Sequence, residues 1–292
     1  MTRIAVIGGS VEAVQIGCEF ALGGCAVQLL GAEEPVAAQA VEEALRLASA
    51  RGLAGPPELE RARALIAPAA EAEGRIALVV EALPESVDQK AAAIATCAAP
   101  HPEALVATTS EAIGPTEIGQ AAGVPERMLA ARYGSPPMLV GIVELAAARD
   151  TPARLVDRVA QLLRAIGKQP VVLRREVPGM ISGRLELALL RECRRLIDEG
   201  AADGEQVDAV AAQRLAPVWA AIGPLGSAAL RAPGSLERLA EASGEDRAAA
   251  VELGAIVAPG ADLRALAERR DEALARVDGN TGRFERPPSA SV

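Results

Sequence analysis

Three short stretches carry side chains able to do chemistry. The first is Gly8-Gly9-Ser10-Val11-Glu12-Ala13, a glycine turn between an apolar run and a helical one. A turn of this kind aims backbone amides at a pyrophosphate, because the first amides of a helix lack partners and its dipole favours anions. Gly8 supplies the tight turn, and Ala13 is acceptable at the third position of a G-x-G-x-x-G/A fingerprint. Ser10 departs from the fingerprint, adding a Cβ and a hydroxyl where backbone should approach phosphate. Glu12 sets a carboxylate in the first helical turn, where it competes with phosphate for the positive end. The second stretch is Thr108-Thr109-Ser110-Glu111, whose hydroxyls either meet a ligand at the end of a strand or cap a helix. Glu111 is a general base if a dry cleft raises its pKa, and otherwise an exposed loop carboxylate.

The third stretch is Arg132-Tyr133. A guanidinium stays protonated, so Arg132 cannot be a base, but it can polarise a carbonyl or hold a carboxylate. Tyr133 is the only tyrosine, and its neighbour's charge favours the phenolate. Adjacent strand residues point to opposite faces, however, which turns Tyr133 into the sheet. His101, the single histidine, falls on a polar loop and reads as solvent-facing. Cys18, Cys25, Cys97 and Cys193 form no C-x-x-C pair, so no metal site is expected.

These groups need elements to hold them. RIAVIG and AVQLLG are β-prone runs flanking a helical segment over 12–22, which makes a βαβ unit. Helices are expected over 36–50, 57–64, 85–98 and 152–166. Strands are expected over 75–83, in EALVATTS and in QPVVLRR, with RMLAARYGSPP and LVGIVELA as further segments. The alternation predicts an α/β fold: a Rossmann-like, doubly wound, mostly parallel sheet over residues 1–175. From EVPGMIS onward the pattern becomes helical, over 183–200, from an Asp203 cap, and over 228–242 and 263–275. An all-helical domain over 176–278 and a polar, proline-rich tail over 279–292 follow, with Pro178-Gly179 shaping the turn between the domains.

A chain of 292 residues, half of them apolar, can bury a large core. Two Phe, one Trp and one Tyr leave little for a base-stacking platform. A net charge of −9 without a basic block argues against nucleic acid and acidic lipid surfaces. Scattered thiols fit a reducing compartment, the start does not read as a signal peptide, and no apolar run is long enough to span a bilayer. The expectation is a cytoplasmic protein with a small-molecule substrate, and the long alanine-rich faces of the helical domain suit a homodimer contact.

LVVEALPESVDQK (78–90), REVPGMISGRLELALLRECRRLIDEG (175–200) and VWAAIGPLGSAALRAPG (218–234) resemble, in consistent order, the 3-hydroxyacyl-CoA dehydrogenase family. The resemblance is nearest to the branch with L-gulonate 3-dehydrogenase, lambda-crystallin and carnitine dehydrogenase. It implies an NAD-binding domain, a helical domain that dimerises, and oxidation of an alcohol beta to a carboxylate or thioester, or reduction of the ketone. It implies a cofactor set of Gly8, Gly9, Ser10, Val11, Glu33, Glu81 and Thr109. Arg132 stands where the family's H-x-x-N-P motif has its catalytic histidine, and Ser135 where it has asparagine. The histidine's glutamate partner falls on Glu144, which can pair with Arg132. The S-N-T-S loop falls on Thr108 to Glu111, so Glu111 replaces a substrate-binding serine beside Ser110. Gly183 replaces the asparagine of P-G-F-x-x-N-R-L, and Gly31 the acid that holds the adenosine ribose. No Arg or Lys follows Gly31 to meet a 2′-phosphate, which leaves Glu33 or Glu34 to reach the ribose.

Three readings stay open on the sequence. The first is an atypical NAD-dependent dehydrogenase or reductase for a small 3-hydroxy or 3-keto acid or acyl thioester, with proton transfer by Glu111, Tyr133 or Glu144. The second is the same cleft turned to acid–base chemistry without net redox on a carbonyl or carboxylate. The third is a binding or structural protein without turnover.

Overall fold

A computed structural model of the chain describes residues 1–31, 33–232, 234–243 and 262–280. The chain divides into two units, Met1–Ala188 and Leu189–Val292. In the first unit the strands are β1 (Arg3–Ile7), β2 (Ala26–Leu30), β3 (Ile66–Ala69), β4 (Ile76–Glu81), β5 (Leu105–Thr108), β6 (Met128–Tyr133), β7 (Ile142–Ala147) and β8 (Gln169–Val172). Its helices are α1 (Val11–Leu22), α2 (Glu34–Ala50), α3 (Pro56–Leu65), α4 (Val87–Ala98), α5 (Pro115–Ala121) and α6 (Ala153–Ala165), and α7 (Ser182–Asp198) begins in it.

The strands form one sheet in the order β3-β2-β1-β4-β5-β6-β7-β8. Every pairing is parallel except β6 with β7. The fold is therefore the Rossmann-like, mostly parallel α/β sheet predicted, and the antiparallel β6–β7 pair follows from the short turn that joins them. Apolar side chains of α1, α2 and α6 pack one face of the sheet, and those of α4 and α5 pack the other. With both faces covered, β1, β4 and β5 read as continuous apolar runs.

The strand order reverses between β1 and β4, and the crevice of such a sheet opens at the carboxyl ends of the strands there. Ile7 pairs in register with Glu81, so the turns after both strands leave side by side. Gly8 sits between them at φ +134°, donating to the Leu30 carbonyl at 2.9 Å. A Cβ on Gly8 would stand 2.7 Å from the Ala82 carbonyl oxygen, so steric contact and backbone conformation both require glycine.

Strand β3 was absent from the sequence reading, because Pro68 falls inside it and proline argues against a strand. The structure places β3 at the sheet edge, where proline costs no ladder bond on the open side.

The second unit contains the end of α7, α8 (Gly204–Val210), α9 (Ala216–Ala229), α10 (Ser235–Ala242) and α11 (Leu263–Asn280). Asp203 caps α8 as expected, in a reciprocal box with Gln206. The helix expected over 228–242 is corrected: α9 ends at Ala229 and α10 begins at Ser235, with Gly234 at φ 71° between them. Inside α9 the chain breaks at Gly223 (φ 72°), directly before Pro224. Residues 281–292 of the expected tail lie outside the described residues.

Candidate functional site

Gly8 is buried beneath the turn, and Gly9 to Glu12 are exposed at the mouth of the crevice. Ser10 is the N-cap of α1, its Oγ accepting from the Ala13 amide at 3.2 Å. The cap answers one orphan amide of the helix and leaves those of Val11 and Glu12 without acceptors inside it. The exposed Glu12 carboxyl is pushed above the ordinary carboxylate range, chiefly by partial desolvation. The charges of Glu111 and Glu81 add to that effect, while Arg132 and Lys90 oppose it. Gly31, at φ 80°, has open space around it, and Glu33 is an exposed N-cap residue of α2.

At the ends of β4 and β5, polar side chains are tied to one another. Glu81 and Lys90 are fully buried. Glu81 accepts from Lys90 Nζ at 2.9 and 3.2 Å, from the Leu83 amide at 2.6 Å and from Thr108 Oγ1 at 2.6 Å. Lys90 also donates to the Leu83 carbonyl at 2.7 Å. Glu81, expected among the cofactor residues, thus has its carboxylate enclosed, and it shapes the loop the cofactor was expected to meet. Thr109 is buried, its amide donating to the Glu81 carbonyl. Ser110 donates its hydroxyl to Glu85 at 2.7 Å and accepts from the Ile113 amide at 3.0 Å, which gives this expected substrate residue a capping geometry. Glu85 also takes the Glu111 amide at 2.7 Å.

Across the crevice, Arg132 and Glu144 are directly opposite on β6 and β7. Their expected charge pair is replaced by another. Arg132 Nη2 lies 2.5 Å from Glu111 Oε1, while the Glu144 carboxylate accepts from the amides of Ile181 (2.7 Å) and Ser182 (3.0 Å). Those amides open α7, so Glu144 serves as its N-terminal cap from another strand. Gly183 is buried one residue further on, and a Cβ there would come 3.2 Å from Glu111 Oε1. The absence of a side chain at Gly183 therefore leaves room for the Glu111 carboxylate. Met180 precedes this point at φ 47°, an unusual conformation for a side-chain-bearing residue, held by packing against Ala130 and Ala146.

Tyr133 is buried in the core on the side of α1, and burial first, then Glu19 and Glu12, push its hydroxyl well above the ordinary range. That removes it from proton transfer near neutral pH. Ser135 is exposed in the turn after β6. A small pocket beside the 110–115 loop is bordered by Glu111, Ala130, Glu176 and Met180. Glu85 and Lys90 were missed by the sequence reading, although both lie in the stretch that carried the family resemblance. What could have found them is the need of the buried Glu81 for a cation.

Whether a dinucleotide suits these residues turns on the first turn. The close backbone approach at Gly8, the exposed Gly9–Ser10 backbone and the Val11 and Glu12 amides, which have no acceptor inside the helix, fit a pyrophosphate. Among the described residues no group of three or more His, Cys, Asp or Glu side chains is placed to hold a metal ion.

The model of a family described as 3-hydroxyacyl-CoA dehydrogenase, NAD binding domain, matches residues 3–177, more than half of the chain. The chain belongs to this family. Among its relatives is 5-formyl-3-hydroxy-2-methylpyridine 4-carboxylate 5-dehydrogenase of Mesorhizobium japonicum, 32% identical over 149 residues. That match covers 51% of this chain and 48% of the relative, so the chain spans about half of that protein's length. Lambda-crystallin of Oryctolagus cuniculus is 28% identical over 241 residues, 80% of this chain and 76% of the crystallin. A solved structure of 5-formyl-3-hydroxy-2-methylpyridine 4-carboxylic acid 5-dehydrogenase, an NAD+ dependent dismutase, superposes with a TM-score of 0.71 at 25% identity. It covers 97% of this chain and 100% of that one. Among the described residues no helix is long and apolar enough to cross a membrane.

Proposed function

We propose that this protein is an NAD(H)-dependent dehydrogenase or reductase for a small 3-hydroxy or 3-keto acid, or an acyl thioester. In this reading the Arg132–Glu111 pair stands in for the family's histidine. The observation that carries it is the 2.5 Å contact of Arg132 with Glu111, a half-exposed carboxylate at the crevice. The alternatives for proton transfer are otherwise engaged. Glu144 holds the start of α7, and Tyr133 is buried with its proton tightly held.

Gly8, Gly9, Ser10 and the Val11 amide would hold the pyrophosphate, with Glu33 near the ribose and Thr109 lining the far side. The cofactor supplies a two-electron hydride acceptor or donor. Arg132 draws the substrate's carbonyl oxygen or carboxylate into its fork, which loosens its hold on Glu111. Glu111 then takes the alcohol proton during oxidation, or returns it during reduction. Glu144 keeps α7, and with it Gly183, at the distance that leaves room for Glu111. The helical faces of the domain expected over 176–278 are assigned to a homodimer contact, and the protein to the cytoplasm.

NADH fluorescence titration of the purified chain, followed by turnover with a panel of 3-keto acids and acyl thioesters, tests the reading. Glu111→Gln is expected to lower kcat by about 10²- to 10⁴-fold, the usual contribution of a general base, without changing NADH affinity. Absence of NADH binding up to millimolar concentration would falsify the dehydrogenase reading. Glu12 sets a carboxylate in the first turn of α1, where it competes with a pyrophosphate, and that result would leave a fold kept for binding or for non-redox chemistry.

A further inference from the structure

On the α1 side of the sheet lies a second group of ionisable side chains, which the proposed reaction does not use. Glu19, in the last turn of α1, pairs with Lys168, in the turn before β8, and both are buried. Lys168 Nζ also donates to the Pro137 carbonyl at 2.7 Å and the Val140 carbonyl at 2.9 Å, so its three hydrogens have three acceptors. Those carbonyls belong to the turn that follows Arg132 and Tyr133 out of β6.

Two atoms nearby lack partners: Glu19 Oε2 and Gln15 Oε1, on buried residues one helical turn apart along one face of α1. Two buried acceptors without a donor form a costly state. A single proton on Glu19 Oε2 answers both. The groups around Glu19 are Lys168, Tyr133 of β6 and Cys18 of α1 itself, while Glu42 of α2 acts on Cys18. Burial outweighs the opposing ammonium of Lys168 and pushes the Glu19 carboxyl up to about 7.

We propose that Glu19 holds a proton on Oε2, donated to Gln15 Oε1, and that this neutral carboxyl is a positioning residue. Through Lys168 it joins α1, with the Gly8–Glu12 turn at its start, to the turn behind Arg132. Its bearing on catalysis rests on the reading of Arg132 as part of the reaction site. The proton comes from solvent, and Lys168 keeps its three hydrogens. When Glu19 gives the proton up, two buried acceptors are left bare and the tie loosens.

The test uses the whole chain without added ligand. Infrared difference spectra are expected to show a protonated-carboxyl band in mildly acidic buffer that disappears as pH rises through about 7, the value to which burial pushes Glu19. The band should be absent from Glu19→Gln and retained in Glu85→Gln. Tyr133, the only tyrosine, reports on the same event in the wild-type chain through near-ultraviolet absorption with the same midpoint. Hydrogen exchange in the 134–140 turn, corrected for intrinsic rates, should speed up several-fold above the transition in wild type and stay level in Glu19→Gln. An ionised Glu19 already in acidic buffer overturns the proposal and makes the Gln15 amide nitrogen the donor instead. Exchange that ignores the transition overturns the positioning role. NADH is titrated separately, so failure to bind it sinks the dinucleotide reading and leaves the Glu19 result standing.

Discussion

A guanidinium at the end of a buried strand needs a counter-charge, and Arg132 finds it in Glu111 at 2.5 Å rather than in Glu144 opposite it. Glu111 in turn needs room, which Gly183 leaves by having no side chain. Arg132, Glu111 and Gly183 are therefore linked through one contact. Restoring asparagine alone should fail: Gly183→Asn is expected to cost about 1 kcal/mol through overpacking against Glu111. Adding Glu111→Ser should recover most of that, giving a coupling of about 1 kcal/mol in a double-mutant cycle by urea denaturation. Additive effects would mean that Glu111 turns away freely and that the changes are independent.

At the scale of elements, two buried carboxylates set the geometry of the crevice. Glu144 reaches from β7 to the first amides of α7, directly after the strained Met180. Glu144→Ala removes a cap and leaves two amides unanswered, for an expected loss of about 1–2 kcal/mol. Faster hydrogen exchange confined to the first turn of α7 would distinguish this from a general loosening of the sheet. Glu81 with Lys90 ties the end of β4 to the first turn of α4 and holds Thr108. Lys90→Met strands a buried carboxylate, so a loss of about 3–5 kcal/mol is expected in the denaturation midpoint. Double replacement by Glu81→Leu with Lys90→Met should lose much less, because no uncompensated charge remains.

For the whole molecule, Glu19 sets how stability depends on pH. Its carboxyl moves from 4.5 to about 7 on folding, so the native chain binds more protons than the unfolded chain between those values. Its contribution is complete below pH 4.5 and is lost as pH rises through about 7. The shift corresponds to about 3.5 kcal/mol at most, since each pKa unit is roughly 1.4 kcal/mol. Thermal unfolding of wild type should therefore show a stability decline over that window that Glu19→Gln removes. An equal decline in both proteins would assign the dependence to other groups.

Periodicity and punctuation in the sequence determined the α/β class, the parallel strands, the glycine turn after β1 and the helical character beyond Pro178. These rest on local physics: apolar runs for strands buried on both faces, and a steric demand for glycine that one residue expresses by itself. The Asp203 cap was legible for the same reason, because both partners lie within one helical turn. Strand β3 was not, since only its place at the sheet edge makes Pro68 acceptable. The identity of Arg132's partner was also beyond the sequence. Register places Glu144 opposite Arg132, and resemblance agreed with that pairing. Yet α7 begins beside Glu144 and claims its carboxylate, while Gly183 opens the way for Glu111. Which carboxylate caps a helix and which meets a cation depends on distances between segments far apart in the chain. Those distances exist only once the sheet is assembled.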